Sequence, residues 1–264
     1  MLDYISNESC IDHMKSIGEG VIDLVVTSPP YAEQRKDTYG GISEEIYPQW
    51  FTDIGQSVYK VLKDCGVFVL NIKENVNDGR RSTYVMETVL KLSKIFNWND
   101  TFIWNKTNPF PTGSKKRLKD GFEYCYVFTK SNNYTFNPNN VLVPSTSKYL
   151  ESEKRRKNKG KHEVTNGSTM NMSRRVASDM VRPSNVITFP IDSTNHKHPA
   201  TFPIALPDFF IKLYTNEGDV VYDPFMGSGT TALSAKLLGR HYIGSEINEE
   251  YVKIANERLN KNLQ

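Results

Sequence analysis

At 264 residues the chain has room for one large α/β domain with an insertion and can bury a sizeable core. It is 38% hydrophobic and 24% charged, has no apolar run near the ~20 residues of a membrane span and shows no signal-peptide pattern. A soluble cytoplasmic protein is expected, not a membrane or secreted one. The net charge of +3 is small, yet residues 146–182 carry ten Lys/Arg against four Asp/Glu, a local +6 that fits a polyanionic partner or a solvated face.

In chain order, Ile5 to Met14 reads as a short strand entering a helix, with Asn7-Glu8-Ser9 at the junction. The β-branched, apolar run Val21 to Thr27 reads as a buried strand that Pro29-Pro30 stops abruptly. Proline at 29 biases Ser28 toward extended backbone, and two fixed φ angles make the step stiff. A rigid ledge results at the strand's carboxyl end, carrying the Ser28 hydroxyl, bare carbonyls and the Tyr31 ring. Ligands bind at that edge of open α/β sheets.

Ala32 to Ser43 is a polar connection, long enough to suggest a functional one. Trp50, Ile54, Val58 and Leu62 recur four apart, predicting a helix that ends near Asp64-Cys65-Gly66. Val67 to Ile72 follows as a strand. Ser82 is placed to cap a helix bearing Val85, Val89, Leu92 and Phe96, and Thr101–Trp104 and Phe122–Phe128 read as strands. This alternation predicts a doubly wound, mostly parallel sheet with helices on both faces. From about Asn105 to Asn185, prolines, asparagines and the basic knots Lys115-Lys116-Arg117 and Arg155-Arg156-Lys157 replace any sustained period, marking an insertion expected to be partly irregular. Regular structure resumes at Val186–Phe189 and in a helix through Phe209, Phe210 and Leu213.

Asp219 to Thr231 reads as strand, Gly-rich turn and helix start. A strand from His241 to Ser245 then ends at Glu246, and Asn248 caps a last helix. A carboxylate at Glu246 could accept both hydroxyls of a ribose. Gly227-x-Gly229-x-x-Ala232 also satisfies a weak dinucleotide fingerprint, which would mean NAD and hydride transfer, and a purely structural glycine turn is a third reading. The ledge suits another chemistry. An exocyclic nucleobase amine is a poor nucleophile because its lone pair is delocalised. Acceptors such as Ser28 and the Pro29 carbonyl could hold its hydrogens toward tetrahedral geometry while Tyr31 stacks the base. Cys10, Cys65 and Cys125 are far apart without a C-x-x-C pair, and His196 and His198 lack a partner set, so neither a disulfide framework nor a metal site is expected.

Thr27-Ser28-Pro29-Pro30-Tyr31, followed late by Asp223-Pro224-Phe225-Met226-Gly227-Ser228-Gly229-Thr230-Thr231, resembles the DNA amino-methyltransferases of bacterial restriction-modification systems. The motif order, catalytic first and cofactor last, resembles their β (permuted) class. His198-Pro199-Ala200-Thr201-Phe202-Pro203, Trp104-Asn105-Lys106 and Glu123-Tyr124 resemble further family segments. The resemblance implies a Rossmann-like methyltransferase fold in permuted order. Residues 1–104 would form the catalytic half, 105–185 a target-recognition insertion with a flanking core strand, and 186–264 the cofactor half. It implies S-adenosyl-L-methionine as cofactor, held by Glu8, Ser9, Asp223, Pro224, Phe225, Gly227, Gly229, Thr230 and Glu246, with Ser28, Pro29, Pro30 and Tyr31 as the catalytic motif.

Glu8 stands where the family usually has a shorter aspartate. Ser28 and the His-Pro-Ala-x-Phe-Pro wording are more typical of cytosine-N4 than adenine-N6 enzymes. The expected activity is methylation of a flipped cytosine in a specific duplex sequence, with adenine-N6 as the alternative. From other classes, an NAD oxidoreductase or a non-catalytic DNA-binding protein is the competitor. Double-stranded DNA is the expected partner, gripped through Lys115, Lys116, Arg117, Arg155, Arg156 and Lys157. A cognate restriction endonuclease and a monomeric or homodimeric state are left open.

Overall fold

The computed structural model describes residues 1–33, 41–111, 113, 116–145, 179–191 and 202–261, and the backbone at 162–163 and 169–170. In chain order its main elements are β1 (Tyr4–Ser6), α1 (Cys10–Ile17), β2 (Ile22–Thr27), α2 (Tyr47–Val61), β3 (Leu62–Ile72), α3 (Tyr84–Leu92), β4 (Asn97–Lys106) and β5 (Phe122–Thr129). After the insertion come β6 (Val186–Phe189), α4 (Ala205–Tyr214), β7 (Val220–Asp223), α5 (Thr230–Leu237), β8 (His241–Ser245) and α6 (Glu249–Lys261).

The eight strands form one sheet in the order β1-β8-β7-β2-β3-β5-β4-β6. Only β5 runs against its neighbours; every other pair is parallel. β2 is buried at all six positions, as a β-branched strand flanked on both edges and covered on both faces must be. Alternation along the strands divides the interior. Phe68, Leu70, Ile72, Tyr126, Phe128 and Tyr222 join one core with Met14 of α1, Tyr47, Phe51 and Val58 of α2, and Val85 and Leu92 of α3. On the other side Phe102 of β4 meets Phe210 of α4 edge to face at 5.4 Å.

Three expectations are corrected. The helical period through Leu62 does not carry α2 onward: Leu62 is already extended, with ψ 138°, and opens β3. Burial of Leu62 satisfies either period, so the pattern could not mark the change; Lys63, by reaching Asp23 of β2 at 2.8 Å, ties the new strand to the sheet. Ser82 does not cap α3, and the helix ends at Leu92, so Phe96 joins the core from the turn beyond it. The Ser82 N–H and hydroxyl both turn to the Asn75 carbonyl, at 3.1 and 3.4 Å, and Thr83 is the residue before the helix. Asn248 does cap α6, accepting from the Glu250 N–H at 2.9 Å.

The chain separates into two compact units, residues 1–137 with 185–264, and residues 138–184. In the second, a short 3-10 turn at Pro138–Val141 leads into Val143–Pro144, which pairs antiparallel with Met180–Val181; His162–Glu163 pairs likewise with Thr169–Met170. No described helix is long and apolar enough to cross a membrane.

Candidate active site

The ledge and the glycine turn are far apart in sequence and adjacent in space. β7 lies beside β2, with Val25 opposite Tyr222. Thr27, the last residue of β2, donates its hydroxyl to Asp223 Oδ1 at 2.6 Å, and Thr231 donates to Oδ2 at 2.7 Å. The Phe225 N–H donates to Oδ1 at 3.0 Å, so one carboxylate fastens strand end, turn and helix start together. Asp223 is buried, and burial outweighs these donors, pushing its carboxyl up to about 6.

The turn itself is shaped by backbone that other residues resist. Gly229 has φ +82°, and a Cβ there would lie 2.8 Å from the Ala255 Cβ of α6. Arg258, one turn further along α6, donates to the Ser228 carbonyl at 2.6 Å and to its hydroxyl at 2.9 Å. Glu246, at the end of β8, is buried; its Oε2 accepts from the Gly227 N–H and its Oε1 from the Asn248 N–H, each at 2.9 Å. Pro224, Gly227 and Thr230 are buried, and Phe225 is half-buried with its ring 6.0 Å from Trp50 and 6.5 Å from Phe51. Nearby, Glu8 accepts from the Ser6 hydroxyl, and the Ser9 hydroxyl caps α1, accepting from the Asp12 N–H at 3.2 Å.

On the ledge, Pro29 is buried while Ser28, Pro30 and Tyr31 are half-buried. The Pro30 carbonyl accepts from the buried Tyr47 hydroxyl at 3.0 Å, and the Ala32 carbonyl accepts from Asn75 at 2.6 Å, so the chain leaves the strand in a fixed direction. The Tyr31 ring packs on the central core and its hydroxyl donates to Glu123 Oε2 at 3.1 Å. Glu123, on β5, is buried; Lys106 at the end of β4 donates to its Oε1 at 2.5 Å, and Asn71 of β3 donates to Oε2 at 3.3 Å. Burial at the hydroxyl end, reinforced by the Glu123 charge, pushes the Tyr31 phenol well above its ordinary value and keeps it neutral.

Sequence reasoning named the ledge and the turn, and quoted Thr27, Lys106 and Glu123 within family segments without giving them a role; it missed Tyr47, Asn71 and Arg258, which brace the site from other elements. Lys116 and Arg117 are described, half-exposed or exposed, with Arg117 bound to Asp120. Lys115, Arg155, Arg156 and Lys157, and His196 and His198, lie outside the described residues. Among the described residues no group of three His, Cys, Asp or Glu side chains could hold a metal ion.

Comparison with known proteins agrees with this architecture. The model of the N6/N4 DNA methylase family matches residues 22–257. The orphan methyltransferase M.BamHII of Bacillus amyloliquefaciens is 35% identical, covering 93% of this chain and 91% of its own. The type II methyltransferase M.PvuII of Proteus hauseri is 28% identical over 92% of this chain and 79% of its own. A solved PvuII DNA methyltransferase, described as cytosine-N4-specific, superposes with a TM-score of 0.74 at 25% identity, over 97% of this chain and 88% of that one. The dinucleotide reading of the glycine turn is thereby set aside, and the chain belongs to the N6/N4 DNA methylase family, whose members use S-adenosyl-L-methionine to methylate DNA.

Proposed function

We propose that this chain methylates the exocyclic N4 of a cytosine swung out of a specific duplex sequence. The observation carrying this reading is the 2.6 Å bond from Thr27 to Asp223, which puts the Ser28 ledge and the glycine turn at the ends of two paired strands. S-adenosyl-L-methionine, when bound, supplies an electrophilic methyl group on its sulfonium. The residues fit such a cofactor. A glycine turn brings backbone close to a ligand, the rigidly held Glu246 carboxylate suits ribose hydroxyls, and the half-buried Phe225 ring offers an apolar wall.

On the other wall, Ser28 Oγ and the Pro29 carbonyl accept the amine's two hydrogens and turn its lone pair toward the methyl carbon. Tyr31, its hydroxyl anchored on Glu123, stacks the base. Transfer would exchange the cofactor's sulfur–methyl bond for an N4–methyl bond and leave a surplus proton on the amine, which water can take, so no strong base is required. Most of the acceleration comes from alignment. Methylation at the ring carbon would need a thiolate beside the base, and the ledge from Ser28 to Tyr31 carries no cysteine: Cys10, Cys65 and Cys125 all lie outside it.

The second unit, which carries the basic knot Arg155-Arg156-Lys157, takes the role of target recognition together with the basic knot Lys115-Lys116-Arg117 that precedes it. The reading places the chain in the cytoplasm with its DNA, and a cognate endonuclease, where one is encoded, would cut the same sequence. Purified protein incubated with plasmid DNA and methyl-labelled S-adenosyl-L-methionine tests it. Nucleoside analysis should find N4-methylcytosine, and sequencing of the product maps the site. N6-methyladenine would overturn the choice of base, and 5-methylcytosine the choice of chemistry.

A further inference from the structure

Between β4 and β5, residues 107–111, 113 and 116–121 are the described part of a connection, here called the finger, that leaves and rejoins the sheet at one edge. β3 and β4 both lie antiparallel to β5, so β4 ends at the same sheet edge as β2 and the ledge. The finger's base is joined to that ledge directly. Lys106 holds one oxygen of Glu123 at 2.5 Å while the Tyr31 hydroxyl holds the other at 3.1 Å.

The described part of the finger is braced at its base and along its returning arm. Asp120 lies 2.7 Å from Arg81 and 2.9 Å from Lys73 and also bonds Arg117. Burial alone would raise its carboxyl, but Lys73 and Arg81 outweigh burial and hold it below the ordinary value. The Lys106 N–H donates to the Gly121 carbonyl at 2.8 Å, closing the base. Gly113 lets the outgoing arm lie against the returning one, since a Cβ there would meet the Arg117 carbonyl and the Lys119 nitrogen at 3.1 Å. On this braced scaffold Leu118 is 89% exposed, more than any other large hydrophobic side chain among the described residues except Met1. Lys119 beside it is also exposed.

A leucine held out in water between basic residues, at the edge where a base must enter, matches a duplex from which one base has been removed: an apolar gap in the stack bordered by phosphates. We propose that Leu118 inserts into the stack at the place the target base leaves, keeping it from returning, while Lys119 meets a neighbouring phosphate. This rests on the reading that the chain acts on a flipped base. A docked protein partner would bury the same leucine but would not make its effect depend on base pairing.

The test uses single-turnover methyl transfer to two oligonucleotide duplexes carrying the sequence mapped from plasmid DNA, one fully paired and one with an abasic site opposite the target. Leu118→Ala should slow transfer about tenfold on the paired duplex yet stay within about twofold of wild type on the abasic one, where pairing no longer opposes flipping. Leu118→Met should keep the wild-type rate on both. Equal losses on the two duplexes, or none on either, would overturn the wedge. Wild-type protein that methylates neither duplex would instead overturn the functional reading on which it depends.

Discussion

Replacing Thr27 with valine probes the bond that joins the two halves of the site. Valine keeps the shape and β-branching of the buried threonine and removes only the hydroxyl that donates to Asp223 at 2.6 Å. A hydrogen bond to a charged group contributes about 1.5–3 kcal/mol, and one between neutral groups about 1 kcal/mol. Which applies depends on pH, because the Asp223 carboxyl titrates at about 6 in the fold against an ordinary 3.8. Its folded value is raised, so the native state holds a proton that the unfolded chain has released. Stability from this group is therefore full at low pH, falls as pH climbs from about 4 to 6, and is lower above that by about 3 kcal/mol. Without Thr27 the carboxyl rises further, and the fall continues above pH 6. Urea unfolding of wild type and Thr27→Val should differ by about 1 kcal/mol at pH 5 and about 2 kcal/mol at pH 8. The same difference at both pH values would refute the claim that this threonine solvates a buried charge.

Other variants separate chemistry from scaffolding. Ser28→Ala should lower the rate of methyl transfer roughly a hundredfold while cofactor affinity, read by calorimetry, changes less than about threefold; equal losses would mean that Ser28 faces the cofactor and not the amine. Glu123→Leu removes the acceptor of the Tyr31 hydroxyl, leaves Lys106 without its carboxylate in a largely enclosed position and should cost about 3 kcal/mol in denaturant unfolding. Adding Lys106→Met should restore much of that stability but not the turnover lost with the Tyr31 anchor, and full recovery of turnover would free Tyr31 from the role given to it. Neutralising Arg155, Arg156 and Lys157 together should flatten the dependence of log affinity on log salt by about three, and an unchanged slope would return the cluster to a solvated surface.

The sequence displayed those parts whose cause is local. The β2 run, the Pro29-Pro30 stop, the glycine turn and the Asn248 cap each follow from residues within a few positions of one another, and the structure has each where the pattern put it. The turn from α2 into β3 was hidden because a buried leucine suits a helix and a strand alike. The reversed direction of β5 was hidden for a different reason: its side chains alternate as they would in a parallel strand, and only pairing with β3 and β4 sets its sense. In the site, Ser28, Tyr31 and Glu246 advertised themselves by position at strand ends. Glu123 did not, since its bond to Tyr31 spans 92 residues and its salt link to Lys106 joins two strands across a finger.

The placement of β7 beside β2 has a consequence for how the protein is made. During translation β2 emerges early, but the neighbour that covers one of its edges follows almost 200 residues later, which at ordinary elongation rates is a delay of about 10–40 s. Throughout that interval an apolar strand edge is open to strangers on the ribosome. Truncated products that stop short of Val220 leave that edge uncovered for good and should be found in aggregates and not in solution.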